Sequence, residues 1–597
     1  MIEESKLQDQ AASSELFSID YDIPVLFIHQ NSGKLASLPF SFQKTNEDKP
    51  LRISITDDTP GGSGNEIRDN LWLAAVTAAM LRNETMHGIK IAFEFKGLVD
   101  GPSAGAVCCI AILSALDGLQ LPDDFAMTGA IFPDGTIGIV GGIVEKIKAA
   151  AEHGKTRIFI PGYHRMVKDA NNELCDLVSL AEELHVTLCY VENIDEAFAS
   201  IHGKPYYGNK HIDARKATAV PREIEKRLIE EFLNYDKIVQ KKMESFSDDD
   251  IAYINYLYGS YFNYHGLFIE GKFSAAFYKI AEAYEMLCVV EKVLPKYKSW
   301  TIPFWGSLNK ELTKIHKNNS NVIKKQADSA YDIFSREQQE RGQNSSFIGI
   351  VPRKAGLSSI TAQFENFEKI YDIGEIRTFD ESFETSEDIK LTKAQFEEKK
   401  TQEFYFLLLG ESVSFEDKRL KDIYTDISEM LPSMRPNDAA GKIENFFQIA
   451  LIAAINAATA GCESLSLDWN TALFMDTAIE ANNLALDWHN EICNASYPDY
   501  HVQVSLKLQI EAFVKYSVIL ALEYRNTSTD FEKYLIRNAR QNALKNMQEC
   551  ADAGIPCIEP VRAFYVAESN AENDFISVLY DYWYAALYSK ALLISFK

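Results

Sequence analysis

Ser103 stands in Asp100-Gly101-Pro102-Ser103-Ala104-Gly105, a setting in which a hydroxyl can act as a nucleophile. Glycines without a Cβ let substrate and backbone approach closely, and they reach positive φ where a tight turn needs it. The residues after Ser103, from Ala104 to Leu113, form an apolar run that reads as a buried helix. Ser103 then falls at a helix N-terminus, where free N–H groups and the helix dipole favour a developing oxyanion.

A serine alcohol is a weak nucleophile and needs a base. Lys146 is the candidate, within Gly141-Gly142-Ile143-Val144-Glu145-Lys146-Ile147-Lys148-Ala149-Ala150. Ile143, Ile147 and Ala150 share an apolar helical face, and Lys146 sits beside it. A lysine held against apolar surface gives up its proton more readily, and its neutral amine can take the proton of serine. Lys148 lies off that face and Glu145 reads as a solvated helix residue. Taken singly, Ser103 reads more readily as a helix cap and Lys146 as a lysine laid along the surface.

Three motifs in order change that balance. Asp100 to Gly105, then Ala126-Met127-Thr128-Gly129, then Gly141 to Ala150 together resemble the proteolytic domain of the Lon protease family. The resemblance covers roughly the first 200 residues, about one domain's length. It implies a Ser–Lys dyad with Ser103 as nucleophile and Lys146 as general base. Thr128 matches the family threonine whose hydroxyl lies near the lysine. Asp100 is a supporting candidate: it could hold the serine loop or pair with Lys146, and direct pairing would raise the lysine pKa and hinder the base.

Gly101-Pro102-Ser103-Ala104-Gly105 also fits G-x-S-x-G, the nucleophile elbow of α/β-hydrolases. That reading needs a strand running straight into the serine and a histidine further on, for which His153, His164 and His185 are available. A third reading is a scaffold or interaction protein that keeps a Lon-like fold without catalysis. The Ser–Lys reading accounts for Ser103, Thr128 and Lys146 together.

The chain is acidic, with 60 Lys+Arg against 86 Asp+Glu and a net charge of −26, which argues against nucleic acid or anionic membrane as partner. The nine cysteines include no C-x-x-C pair, so zinc and redox motifs have no support, and free thiols suit a reducing cytoplasm. The polar, acidic N-terminus is not a signal peptide, and the longest apolar stretch, 446–460, holds Gln448 and Asn456 and falls short of a membrane span. Gly154-Lys155-Thr156 lacks the first glycine of a phosphate loop. The expectation is therefore an ATP-independent serine endopeptidase with no cofactor and no metal. Its partners would be a protein substrate and a regulatory protein, with a homo-oligomer left open.

Patterning predicts an α+β domain at 1–203 and a large all-α region beyond a linker at 204–221. The first 20 residues read as a tail, and strands are expected at 23–28, 35–42, 51–56, 89–95, 157–160 and 186–191. Pro39 marks the second of these as an edge strand. Helices are expected at 67–81 and 194–201, and a hairpin around Pro133-Asp134-Gly135. Beyond Arg222 the helical patterns include 251–269, 273–293, 304–341, 443–460, 471–492, 502–524 and 574–596. The pair around Gly266 to Gly271 resembles a tetratricopeptide-like hairpin, without a strict repeat period. A charged joint at 381–400 divides this region into helical domains at 222–380 and 401–597. The region is expected to select substrate or to sense a partner.

Overall fold

The computed structural model describes residues 15–58, 63–97, 101–162, 165–204, 212–246, 264–293, 438–462, 478, 481–482, 485–486, 489, 498–522, 529–570 and 575–596. The expected helix at 304–341 and joint at 381–400 lie outside the described residues, as do most of 471–492 and the first part of 251–269.

The N-terminal part is built on a seven-stranded mixed sheet in the order β11-β8-β5-β1-β2-β4-β3. Its strands are β1 (Glu15–His29), β2 (Ser32–Thr45), β3 (Arg52–Asp57), β4 (Ile89–Phe95), β5 (Phe125–Met127), β8 (Arg157–Pro161) and β11 (Thr187–Val191). β1, β5, β8 and β11 run parallel to one another, β2 is antiparallel to both β1 and β4, and β3 is parallel to β4. Two small ribbons lie outside the sheet: β6 (Ala130–Ile131) with β7 (Ile137–Gly138), and β9 (Met166–Lys168) with β10 (Leu174–Asp176).

Successive side chains of a strand point to opposite faces, and here that alternation divides two apolar clusters. Val25, Phe125, Met127 and Phe159 belong to one cluster, with α1 (Asn65–Arg82) and α2 (Gly105–Leu116). Leu26, Ala126, Ile158 and Ile160 belong to the other, with α3 (Ile143–Glu152) and α4 (Leu177–Glu183). The sheet is thus covered by helices on both faces, and the expected α+β domain is a layered α/β domain with a mixed sheet.

Two expectations are corrected. Residues 15–20 are no tail: β1 begins at Glu15 and pairs with β2 along its whole length. β2 is interior, not an edge strand, despite Pro39. Pairing with β4 starts at Phe40, one residue beyond Pro39, so no ladder bond is asked of the missing N–H on that side. The other strands and the helices at Asn65–Arg82 and Ile194–Ile201 (α5) fall where the pattern put them. On α1, Ala75, Val76 and Ala79 are buried and Trp72 is half-buried.

The C-terminal region is rich in helices. Among the described residues they are α6 (Ala214–Ala217), α7 (Arg222–Met243), α8 (Tyr264–Ile269), α9 (Phe273–Val293), α10 (Ala439–Cys462), α11 (Pro498–Leu522), α12 (Thr529–Asp552), α13 (Ile558–Asn570) and α14 (Phe575–Phe596). Gly271, at φ 77°, turns the chain between α8 and α9, and Ala275 and Ala283 are fully buried on α9. The core is continuous between the two regions: α10 lies on α1, and Trp583 of α14 stacks on Phe132 with ring centroids 5.4 Å apart. Tyr565 on α13 donates to the Thr218 hydroxyl at 2.7 Å, which ties the end of the 204–221 segment to the helices.

Candidate active site

Ser103 lies in a single 3₁₀ turn, Pro102–Ala104, that runs into α2. Gly101 precedes it at φ 104°, ψ 158°, a conformation closed to side chains with a Cβ, so the chain can turn sharply just before the serine. The turn is laced to the end of β5. Gly129 N–H donates to Ser103 O at 3.0 Å, and Ala106 N–H donates to Gly129 O at 3.1 Å. Thr128 N–H in turn donates to Phe159 O on β8 at 3.1 Å, which anchors the pair to the sheet.

Lys146 approaches from the other face of the sheet. Its helix, α3, starts at Gly142, which takes the left-handed conformation (φ 63°) and whose carbonyl accepts from Lys146 N–H at 3.0 Å. The turn of the β1–β2 hairpin presses on the first turn of this helix. A Cβ on Gly33 would lie 1.9 Å from Glu145 O and 2.9 Å from Lys146 N, so only glycine permits the approach. Lys146 itself is 3% exposed, among Val144, Ile147 and the second apolar cluster. Burial disfavours the ammonium form and pushes its pKa down to about 8.

Thr128 joins the two elements. Lys146 Nζ donates to Thr128 Oγ1 at 3.3 Å, and Thr128 Oγ1 donates to Ser103 O at 3.3 Å. The threonine is 1% exposed. Because its one proton is committed to the serine carbonyl, its oxygen must accept from the lysine. A neutral amine that spends an N–H there keeps its lone pair free to take a proton. Three elements on two faces of the sheet thus meet just beyond the carboxyl end of β5, where open parallel strands leave a crevice.

The sequence candidates are placed as follows. Ser103, Thr128 and Lys146 come together; Asp100 and His164 lie outside the described residues. Lys148 is exposed, as expected of a residue off the apolar face. Glu145 is not simply solvated: it is half-buried and accepts from Ala170 N–H at 2.7 Å, fixing the β9–β10 turn against α3. The nucleophile-elbow geometry is not met, since β4 ends at Phe95 and Ser103 sits in a turn of its own. His153 is exposed, with Nδ1 2.8 Å from Ala149 O at the end of α3, and His185 is exposed at a left-handed turn residue.

Residues 95–201 match the Lon protease (S16) C-terminal proteolytic domain. The Lon-type segment begins at the end of β4 and closes with α5, so it holds Ser103, Thr128 and Lys146 but not the β1–β2 hairpin. Individual relatives agree. The chain is 46% identical over 63 residues to the archaeal Lon protease of Methanocaldococcus jannaschii, covering 11% of this chain and 10% of that protein. It is 39% identical over 101 residues to the Lon protease of Methylocella silvestris, covering 17% of this chain and 12% of that protein. With Lon protease 2 of Bacillus subtilis it shares 28% identity over 142 residues, covering 22% of this chain and 25% of that protein. The chain thus matches a quarter or less of the length of these relatives.

Sequence reasoning missed the residues that support the Lon-type site from outside the match. Gly33 gave one legible signal, a glycine in a turn between two strand patterns. Its close approach to α3 is a tertiary fact.

Proposed function

We propose that this protein is a serine peptidase in which Ser103 is the nucleophile and Lys146 the general base. The observation that carries the reading is the buried Lys146 amine bonded to Thr128, whose hydroxyl is bonded in turn to the backbone of Ser103. The neutral amine takes the Ser103 proton as Oγ adds to the scissile carbonyl. Ser103 lies at the N-terminus of α2, where the dipole favours the resulting oxyanion. Lys146, now an ammonium, returns its proton to the departing amine, and an acyl-serine remains. A water then gives its proton to the same amine and adds to the acyl carbon, and the ammonium returns that proton to Ser103 Oγ as the acyl group leaves.

On this reading the substrates are proteins, and neither a metal nor ATP takes part in the chemistry. Among the described residues no helix is long and apolar enough to cross a membrane. The described cysteines are free thiols, which suits a reducing compartment, and we take the site of action to be the cytoplasm. The helical region selects the substrate or senses a regulatory protein. The chain divides at 1–203, 204–221, 222–380, 381–400 and 401–597, with the two regions sharing a core at their seam.

The test is a serine-directed phosphonate on the full-length chain. Labelling of the wild type that is lost in Ser103→Ala, and that persists with a chelator and without ATP, supports the reading. Absence of labelling in the wild type favours a non-catalytic scaffold. Labelling that survives Ser103→Ala puts the nucleophile elsewhere.

A further inference from the structure

The β6–β7 hairpin links Thr128 to the helical region. It starts two residues after Thr128 and packs against the Ser103 turn. A Cβ on Gly129 would lie 2.6 Å from Ile137 Cγ2, and one on Gly105 would lie 2.8 Å from Ile131 Cγ2. Ile131 and Ile137 therefore press on the two glycines that flank the Ser103 carbonyl contact, and Gly129 N–H holds that carbonyl at 3.0 Å.

The far side of the hairpin is held by α12 and α14. Tyr534 is 5% exposed, and its hydroxyl lies 2.9 Å from Ile137 O and 3.2 Å from Glu192 O, sharing its one proton between the two carbonyls with the shorter contact to Ile137. Ile137 N–H donates to the same Glu192 carbonyl at 2.9 Å, so both polar groups of Ile137 are fixed. At the tip, Asn542 Nδ2 donates to Asp134 Oδ2 at 2.9 Å, and that carboxylate also accepts from Thr136 N–H and Oγ1. Trp583, fully buried, stacks on Phe132. One strand edge, one carboxylate and one ring of the hairpin are thus gripped by side chains about 400 to 450 positions further along the chain.

We propose that Tyr534 and Trp583 are positioning residues for Ser103, acting through Ile137 and Phe132 of the hairpin. The inference rests on the Ser–Lys reading above and gives the helical region a direct means of switching the site. Any event that shifts α12 or α14 relative to the sheet moves Ile137 against Gly129, and with it the Ser103 carbonyl. A misplacement of an ångström at the nucleophile is enough to slow attack by about a hundredfold.

The experiment measures the rate constant of phosphonate labelling, and separately the fraction of molecules labelled, in the full-length chain. Tyr534→Phe removes one hydroxyl and keeps the ring; its rate constant falls about tenfold while nearly all molecules still label and the pH midpoint stays that of the wild type. Trp583→Phe keeps a ring against Phe132 and most of the rate, whereas Trp583→Leu loses it. Lys216→Ala, which breaks the exposed ion pair to Asp552 at the other end of α12, labels like the wild type. A purely structural role would lower the labelled fraction or the melting temperature and leave the rate constant of the folded molecules alone. Wild-type rate constants in both Tyr534→Phe and Trp583→Leu would overturn the inference and leave the dyad standing. A wild type that does not label would remove the dyad, and the inference with it.

Discussion

The Lys146 amine lies 3.3 Å from the Thr128 hydroxyl oxygen, and both side chains are sealed from water. A lysine in this position is unfavourably placed as a cation and well placed as a base. Its burial suits the base proposed above and is at the same time a cost to stability, and the two consequences can be measured separately.

The first prediction is a pH profile. Phosphonate labelling and peptide hydrolysis should rise with pH on a single ionisation with a midpoint of about 8. A free lysine would place it near 10.4. Lys146→Arg keeps the charge and stays protonated at any usable pH, so it should be as inactive as Ser103→Ala. Turnover by Lys146→Arg comparable to the wild type would send the search for a base to His153, His164 and His185.

Thr128→Val removes both hydrogen bonds of the hydroxyl at nearly constant volume. The ammonium loses its oxygen partner, so the charged form is disfavoured further and the midpoint moves below that of the wild type. The plateau rate falls about tenfold or more because the Ser103 carbonyl loses one of its two donors. An unchanged midpoint would mean that Thr128 does not sense the charge on Lys146.

Lys146→Met should be inactive yet more stable. Below pH 8 the lysine is protonated both folded and unfolded, and its charge is buried at full cost. A shift from 10.5 to about 8 corresponds to about 3 kcal/mol. As pH rises from 8 to 10.5 the unfolded chain binds more protons than the folded one, so wild-type stability climbs. Urea unfolding should show Lys146→Met ahead at pH 7 and the gap closing by about pH 10.5. A Lys146→Met that is less stable at pH 7 would show that the amine's hydrogen bond outweighs its desolvation.

Gly33→Ala and Gly141→Ala should behave oppositely. A Cβ on Gly33 meets the backbone of Glu145 and must displace the first turn of α3, whereas nothing lies within 4 Å of one on Gly141. Overpacking of this kind costs about 1–3 kcal/mol. The displaced Lys146 should also slow labelling, while Gly141→Ala labels normally. Normal labelling by a correctly folded Gly33→Ala would show that the hairpin does not set the position of α3.

The sequence by itself determined the chemistry on offer: a serine among small residues, a lysine beside an apolar helical face, and the threonine between them. The threonine was legible only through the resemblance of the three ordered motifs to the Lon family, whereas the serine and the lysine are local features that glycine placement and periodicity reveal. The same holds for the helices at Asn65–Arg82 and Ile194–Ile201, whose apolar spacing is complete within one segment. The order of the sheet was not legible, and Pro39 pointed the wrong way, because whether a missing N–H matters depends on where a partner strand starts to pair. Nor could patterning separate the two faces of the sheet, although Ser103 and Lys146 reach the site from opposite ones. The grip of Tyr534 on Ile137 had no local signal at all. A tyrosine in a helix reads as core, and only the tertiary structure brings its hydroxyl to the carbonyl of Ile137, whose side chain packs on Gly129. Contacts between distant segments depend on chain reversals that no single stretch encodes, so the sequence named the candidate groups and the packing decided how they are held.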